Sequence, residues 1–157
     1  VNGKFTKEHS QIYDIVLNAQ EKAINFIKPG VTWDEVHKIT VYEISKGLKK
    51  LNLLSGTIED IIKNEVYKNF FMHNTGHWLG LDVHDVGEYE NILFEPGMVI
   101  TVEPGIYINL LNNNVSEKWR GIGIRIEDDV LVTENGNEVI TKDLAKNRNE
   151  IESLCNQ

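Results

Sequence analysis

The chain has 157 residues, 41% hydrophobic and 25% charged, a balance that fits one soluble domain, residues 1–157, built on one core. Its formal net charge of −8 argues against a nucleic-acid partner, which needs a basic surface, and no apolar run reaches the roughly 20 residues that span a bilayer, so no membrane contact is expected. The single cysteine, Cys155, leaves no internal disulfide and no thiolate cluster for zinc; a reducing compartment, the cytoplasm, fits best.

Val1 stands first, and the NGKFT that follows reads as the polar exit of a strand, so an upstream segment is expected. Thr6 can cap a helix in which Ile12, Ile15, Val16, Ala19, Ala23, Phe26 and Ile27 recur at helical spacing, and Pro29-Gly30 stops it. Thr32 and Glu35 form a capping box for a second helix, with Val36, Ile39, Ile44, Leu48 and Leu51 toward the core. A shorter helix is expected from Thr57, with Ile58, Ile61 and Ile62 inside. Beyond Phe70 the pattern turns to strands. Residues 97–102 are short and β-branched, and the stretch 121–132 alternates Ile122, Ile124 and Ile126 against Gly123, Arg125 and Glu127. Asn135-Gly136 signals a hairpin turn, with 138–141 as the return strand. Residues 109–118 read as a polar loop, and a last helix starts at Asn147, with Glu150 as capping partner and Ile151 and Leu154 docking inward. Helices followed by antiparallel strands indicate an α+β fold.

The densest chemistry lies in HNTGHWLGLDVHDVG, where His73, His77 and His84 fall within one short stretch interleaved with glycines. Histidine binds divalent metals and moves protons near neutral pH. Each one alone also fits a surface or core-edge position near a turn. This is not the HExxH helix of zinc proteases, because no glutamate follows His73. Glu103 ends an apolar strand, and Glu127 sits on the face of its strand that lacks isoleucine. A carboxylate inside a sheet is expensive unless paired or bound to a cation. Both could instead meet water at strand ends, and Glu127 could pair with Arg125. Taken with the histidines, the set suits Mn²⁺, Co²⁺, Fe²⁺ or Zn²⁺. No Gly-x-Ser-x-Gly elbow, P-loop or GxGxxG fingerprint is present, which leaves serine hydrolysis and phosphate binding without support.

Three ordered motifs, HNTGHWLGLDVHDVG, LFEPGMVITVEPGIYI and WRGIGIRIEDDVLVTENGNE, resemble the C-terminal half of the aminopeptidase P family, as do VNGKFT and QIYDIVLNAQ. That family belongs to the pita-bread group, with prolidase, creatinase and methionine aminopeptidase. The resemblance implies a partial pita-bread fold, with helices packed on one face of a curved, mainly antiparallel sheet. It implies two divalent metal ions, Mn²⁺ foremost, held by two aspartates, one histidine and two glutamates. The histidine ligand matches His77 and the glutamates match Glu103 and Glu127, Glu103 serving also as general base and Glu127 as a bridging ligand. His73 and His84 match histidines that contact the substrate and stabilise the tetrahedral intermediate, and Arg125 and Tyr107 match residues lining the proline pocket. The implied substrates are peptides with proline at position two; a prolidase-type dipeptidase and a non-catalytic binding module are the alternatives. A homo-oligomer accords with such relatives. The family's aspartate pair has no match here, since Asp14 and Asp34 fall in expected helices. The pair, the N-terminal domain and the start of the catalytic domain are expected upstream.

Overall fold

Thr6 opens the first helix as expected: its hydroxyl accepts the His9 amide, and α1 runs Lys7–Phe26. The structure, a computed structural model, describes residues 3–156. Helix α2, Trp33–Lys50, carries the complete Thr32–Glu35 capping box, and α3, Ile58–Lys63, is capped by Thr57. These starts follow from local chemistry, because each side chain satisfies an amide that has no partner inside the helix. The buried stripes differ in detail from the expected ones. In α1, Tyr13, Gln20 and Ile24 are buried while Ile15 and Phe26 are half-buried, and in α2 Thr40, Val41 and Ser45 replace Ile39 and Leu51 inside.

Five short strands follow: β1 Val99–Val102, β2 Gly105–Tyr107, β3 Gly123–Arg125, β4 Asp128–Thr133 and β5 Gly136–Val139. They form two antiparallel sheets, ordered β1-β4-β5 and β2-β3. The helices and sheets share two packed regions. Ile12, Val16, Ile44, Leu48 and Phe71 meet Ile106, Ile122 and Ile126 in one. Ala23, Ile27, Trp33 and Val36 meet Ile100, Val102, Val130 and Val132 in the other. Each fully buried side chain of this kind contributes about 1.5–3 kcal/mol. The architecture is α+β.

Three expectations are corrected. The single strand expected over 121–132 is two strands, because Ile126 and Glu127 lie outside both ladders and the chain passes there from one sheet to the other. Pro104 faces this joint and has no amide to donate, and its carbonyl accepts the Ile126 amide at 3.3 Å instead. The hairpin turn is formed by Glu134 and Asn135 rather than by Asn135-Gly136, so the return strand is Gly136–Val139. Asn137 sets this register by donating its side-chain amide to the carbonyls of Ile24 (2.8 Å) and Ile27 (2.9 Å) at the end of α1. The final helix, α4 (Arg148–Cys155), is capped by Asn147 through the Asn149 amide, not by Glu150, and Leu154 is 54% exposed. Polar ties hold α4 in place: Arg148 binds Asp14 at 2.6 and 3.1 Å, and Glu152 accepts the Phe5 amide. Ile151 alone of its expected pair packs on the core.

Candidate metal centre

Period-two alternation along β1 sends Ile100 and Val102 into the core and turns Thr101 and the following Glu103 to the opposite face. The histidine-rich loop lies antiparallel along this strand. Leu79 donates to the Val99 carbonyl (3.1 Å), Thr101 to that of His77 (2.9 Å), and Glu103 to that of Thr75 (2.7 Å). Gly76 makes the close approach possible, since a Cβ there would stand 1.8 Å from the Thr101 carbonyl oxygen. His77 is thereby set beside Thr101 and Glu103.

The His77 ring is oriented by its backbone. Its Nδ1 lies 2.9 Å from the Trp78 carbonyl, which can only accept, so Nδ1 carries a proton and Nε2 is the nitrogen left to bind an ion. Nε2 faces Glu103 Oε1 at 3.3 Å. The opposed ligand atoms of His77, Glu103 and Glu127 all lie within 4.8 Å of one another. An imidazole lone pair and two carboxylates at this spacing repel unless a proton or a cation sits among them, and the donor set fits a divalent metal ion. Partial burial pushes the Glu127 carboxyl up, and the negative charge of Glu103 adds to the effect. Glu103, 8% exposed, accepts the Thr101 hydroxyl at 3.1 Å and pairs with Arg125 Nη1 at 3.2 Å. The Arg125–Glu127 pair considered from the sequence is replaced by this Arg125–Glu103 pair.

A second chain of contacts borders the carboxylates. His73 Nδ1 lies 2.7 Å from the Asn74 carbonyl and therefore donates, which leaves Nε2 to accept from the Tyr107 hydroxyl at 3.0 Å. Tyr107 in turn accepts from Arg125 Nε at 2.7 Å. Burial pulls the His73 pKa below the usual imidazole value, against the pull of the Asn74 carbonyl, and the Arg125 charge lowers it further. His84 is exposed and meets His77 edge to face, ring centres 4.3 Å apart. The fold thus gathers His73, His77, His84, Glu103, Tyr107, Arg125 and Glu127 in one place.

Neighbouring acids are held elsewhere. Asp128 turns to the other face, where it accepts from Thr141 at 2.6 Å and pairs with Lys146. Asp14 is bound to Arg148 and Asp34 to Lys38. Sequence reasoning missed Thr101 and His37. His37 Nδ1 lies 2.9 Å from Thr75 Oγ1, and the residue lines, with Trp33, Thr75, Gly76 and Tyr89, a cleft of about 430 Å³. Burial lowers its pKa. The available signal was its place one helical turn after Trp33 on α2.

Residues 1–134 match metallopeptidase family M24. The chain is 48% identical over 157 residues to the Xaa-Pro aminopeptidase of Escherichia coli K12, covering 98% of this chain and 35% of that protein. The Xaa-Pro aminopeptidase of Haemophilus influenzae is 45% identical over 159 residues, with 99% and 37% covered. Among solved structures, aminopeptidase PepP of Pseudomonas aeruginosa superimposes with a TM-score of 0.96 at 52% identity, over 99% of this chain and 36% of that one. Escherichia coli aminopeptidase P with the inhibitor Pro-Leu superimposes with a TM-score of 0.94 at 48% identity, over 98% and 36%. The chain therefore spans about a third of the length of these relatives.

Proposed function

This chain belongs to metallopeptidase family M24, and from that membership we propose that it forms part of a metal-dependent Xaa-Pro aminopeptidase. Such an enzyme releases the N-terminal residue from peptides with proline at position two. The convergence of His77, Glu103 and Glu127, bordered by His73, His84, Tyr107 and Arg125, carries this reading. The α+β architecture is the pita-bread fold in part.

When bound, divalent cations, assigned here as a manganese pair, lower the pKa of a water and polarise the scissile carbonyl. His77 offers Nε2, the nitrogen its backbone contact leaves bare. Glu103 and Glu127 supply carboxylate oxygens, and Glu103 takes up the proton released when water attacks. His73 and His84 would contact the peptide and stabilise the oxyanion, His73 through Nε2 once that nitrogen carries a proton and the substrate takes the place of the Tyr107 hydroxyl. Tyr107 and Arg125 border the pocket for proline, whose fixed ring and missing amide proton require a dedicated fit. Three of the five ligands of the family's dinuclear set thus match this chain. On this reading the family's aspartate pair is assigned to none of these residues, Asp14 and Asp34 lying in α1 and α2. Among the described residues, no helix is long and apolar enough to cross a membrane. A cytoplasmic location and a homo-oligomer complete the reading.

The test compares this chain alone with the chain joined to whatever coding sequence precedes it. The longer protein is expected to cleave Xaa-Pro peptides, stop on chelation and recover with Mn²⁺. The chain alone is expected to bind metal weakly and to turn over little. Chelator-insensitive cleavage, or none by the longer protein, would sink the reading. A preference for dipeptides over longer substrates would move it to prolidase.

A further inference from the structure

Thr101 occupies the middle of β1, is 2% exposed, and shares the face that carries Glu103. Its Oγ1 lies 3.0 Å from the His77 backbone nitrogen and 3.1 Å from Glu103 Oε1. A hydroxyl has one proton to give and two lone pairs to offer. The His77 amide can only donate, so Oγ1 accepts there. Its single proton is then left for Oε1, which as a carboxylate oxygen can only accept. One orientation of the hydroxyl satisfies both contacts. The second Glu103 oxygen is taken by Arg125 Nη1, so the two ends of the carboxylate are distinguished and its rotation is stopped.

We propose that Thr101 is a positioning residue that sets the separation of two metal ligands, tying the backbone of His77 to the carboxylate of Glu103. The inference rests on the metal-site reading given above. A β-branched residue is expected in a buried strand, but valine would serve that purpose equally well. What threonine adds is the hydroxyl, and both its contacts lead to candidate ligands. Partners of this kind orient ligands before the ion arrives, and their loss typically weakens metal binding about 10–100-fold.

The experiment uses Thr101→Val, which keeps the shape and removes the hydroxyl, and Thr101→Ser, which keeps the hydroxyl. Mn²⁺ affinity is measured by chelator competition, and the Co²⁺ absorption spectrum reports ligand geometry. T101V is expected to keep the native circular dichroism, bind Mn²⁺ about tenfold more weakly and shift the Co²⁺ bands. T101S is expected to restore both. Native affinity and an unchanged spectrum in folded T101V would overturn the inference. Loss of folding in T101V would leave the decision to T101S, where tight binding supports it and binding as weak as an unrelated strand variant overturns it. If the unsubstituted chain joined to its preceding coding sequence holds no divalent ion, the proposed function falls, and hydrogen exchange at the His77 amide decides the Thr101 question by itself. Exchange faster in T101V but not in T101S would support the positioning role, and equal exchange in all three proteins would refute it.

Discussion

Glu103 and Glu127 stand opposite each other in one antiparallel register that runs from the Val99–Leu131 pair to the Tyr107–Gly123 pair, and the ladder is interrupted where they meet. Like charges directly opposite in a sheet are destabilising. The joint between the two sheets therefore concentrates negative charge beside Nε2 of His77.

Glu127→Gln removes one of these charges. Without metal, the raised Glu127 pKa means that the folded state binds its proton more tightly than the unfolded state does. This contribution to stability is full below the ordinary value of 4.5 and is lost as pH rises through the raised value. The stability difference between the unsubstituted protein and E127Q should follow that course in chelator. Divalent metal should reverse the trend, because it competes with the proton. Mn²⁺ affinity in E127Q should fall by more than the roughly 10–100-fold typical of losing an outer partner. Thermal melts with and without chelator, across pH, check both statements.

Tyr107→Phe breaks the link from Arg125 to His73 while leaving the ring in place. A hydrogen bond to a charged group contributes about 1.5–3 kcal/mol. In the active protein, kcat/KM for Xaa-Pro peptides should drop roughly 10- to 100-fold, with metal content unchanged. Metal analysis run beside the kinetics separates a lost contact from a lost ion.

Gly76→Ala places a methyl group against the Thr101 carbonyl. Backbone cannot yield as a flexible side chain can, so the loop must move off β1 and carry His77 with it. Destabilisation of about 1–3 kcal/mol or more is expected, together with weaker metal binding. Urea denaturation and metal titration of the same sample would show it; native stability in G76A would contradict the close approach.

Half-buried His37 provides a pH signature. Its folded pKa is lowered by desolvation, so below the ordinary value of 6.5 the unfolded chain takes up a proton that the folded chain refuses. Stability is full above that pH and is lost as pH falls through the lowered value. His37→Gln should flatten this part of the profile below pH 6.5, read as the midpoint of thermal unfolding.

Helix starts and the candidate ligands were legible in the amino-acid order alone because their causes are local. Thr6, Thr32 and Thr57 cap amides three residues away, and His73, His77 and His84 crowd into one short loop. The α+β class followed from the change of period beyond Phe70. The stretch 121–132 showed no sign of its break, because that depends on Pro104 and Glu103 from a distant strand. Leu154 stayed exposed for a similar reason: the contacts of α4, Arg148 with Asp14, Glu152 with the Phe5 amide and Ile151 with the core, are made to residues far away in sequence. Residue identity determined which side chains are able to hold a metal ion. Only the tertiary structure decided that Arg125 pairs with Glu103 rather than Glu127, that Glu103 and Glu127 meet, and that the Thr101 hydroxyl joins His77 to Glu103. These are contacts between strands and loops, and alternation along one strand cannot specify what lies across from it.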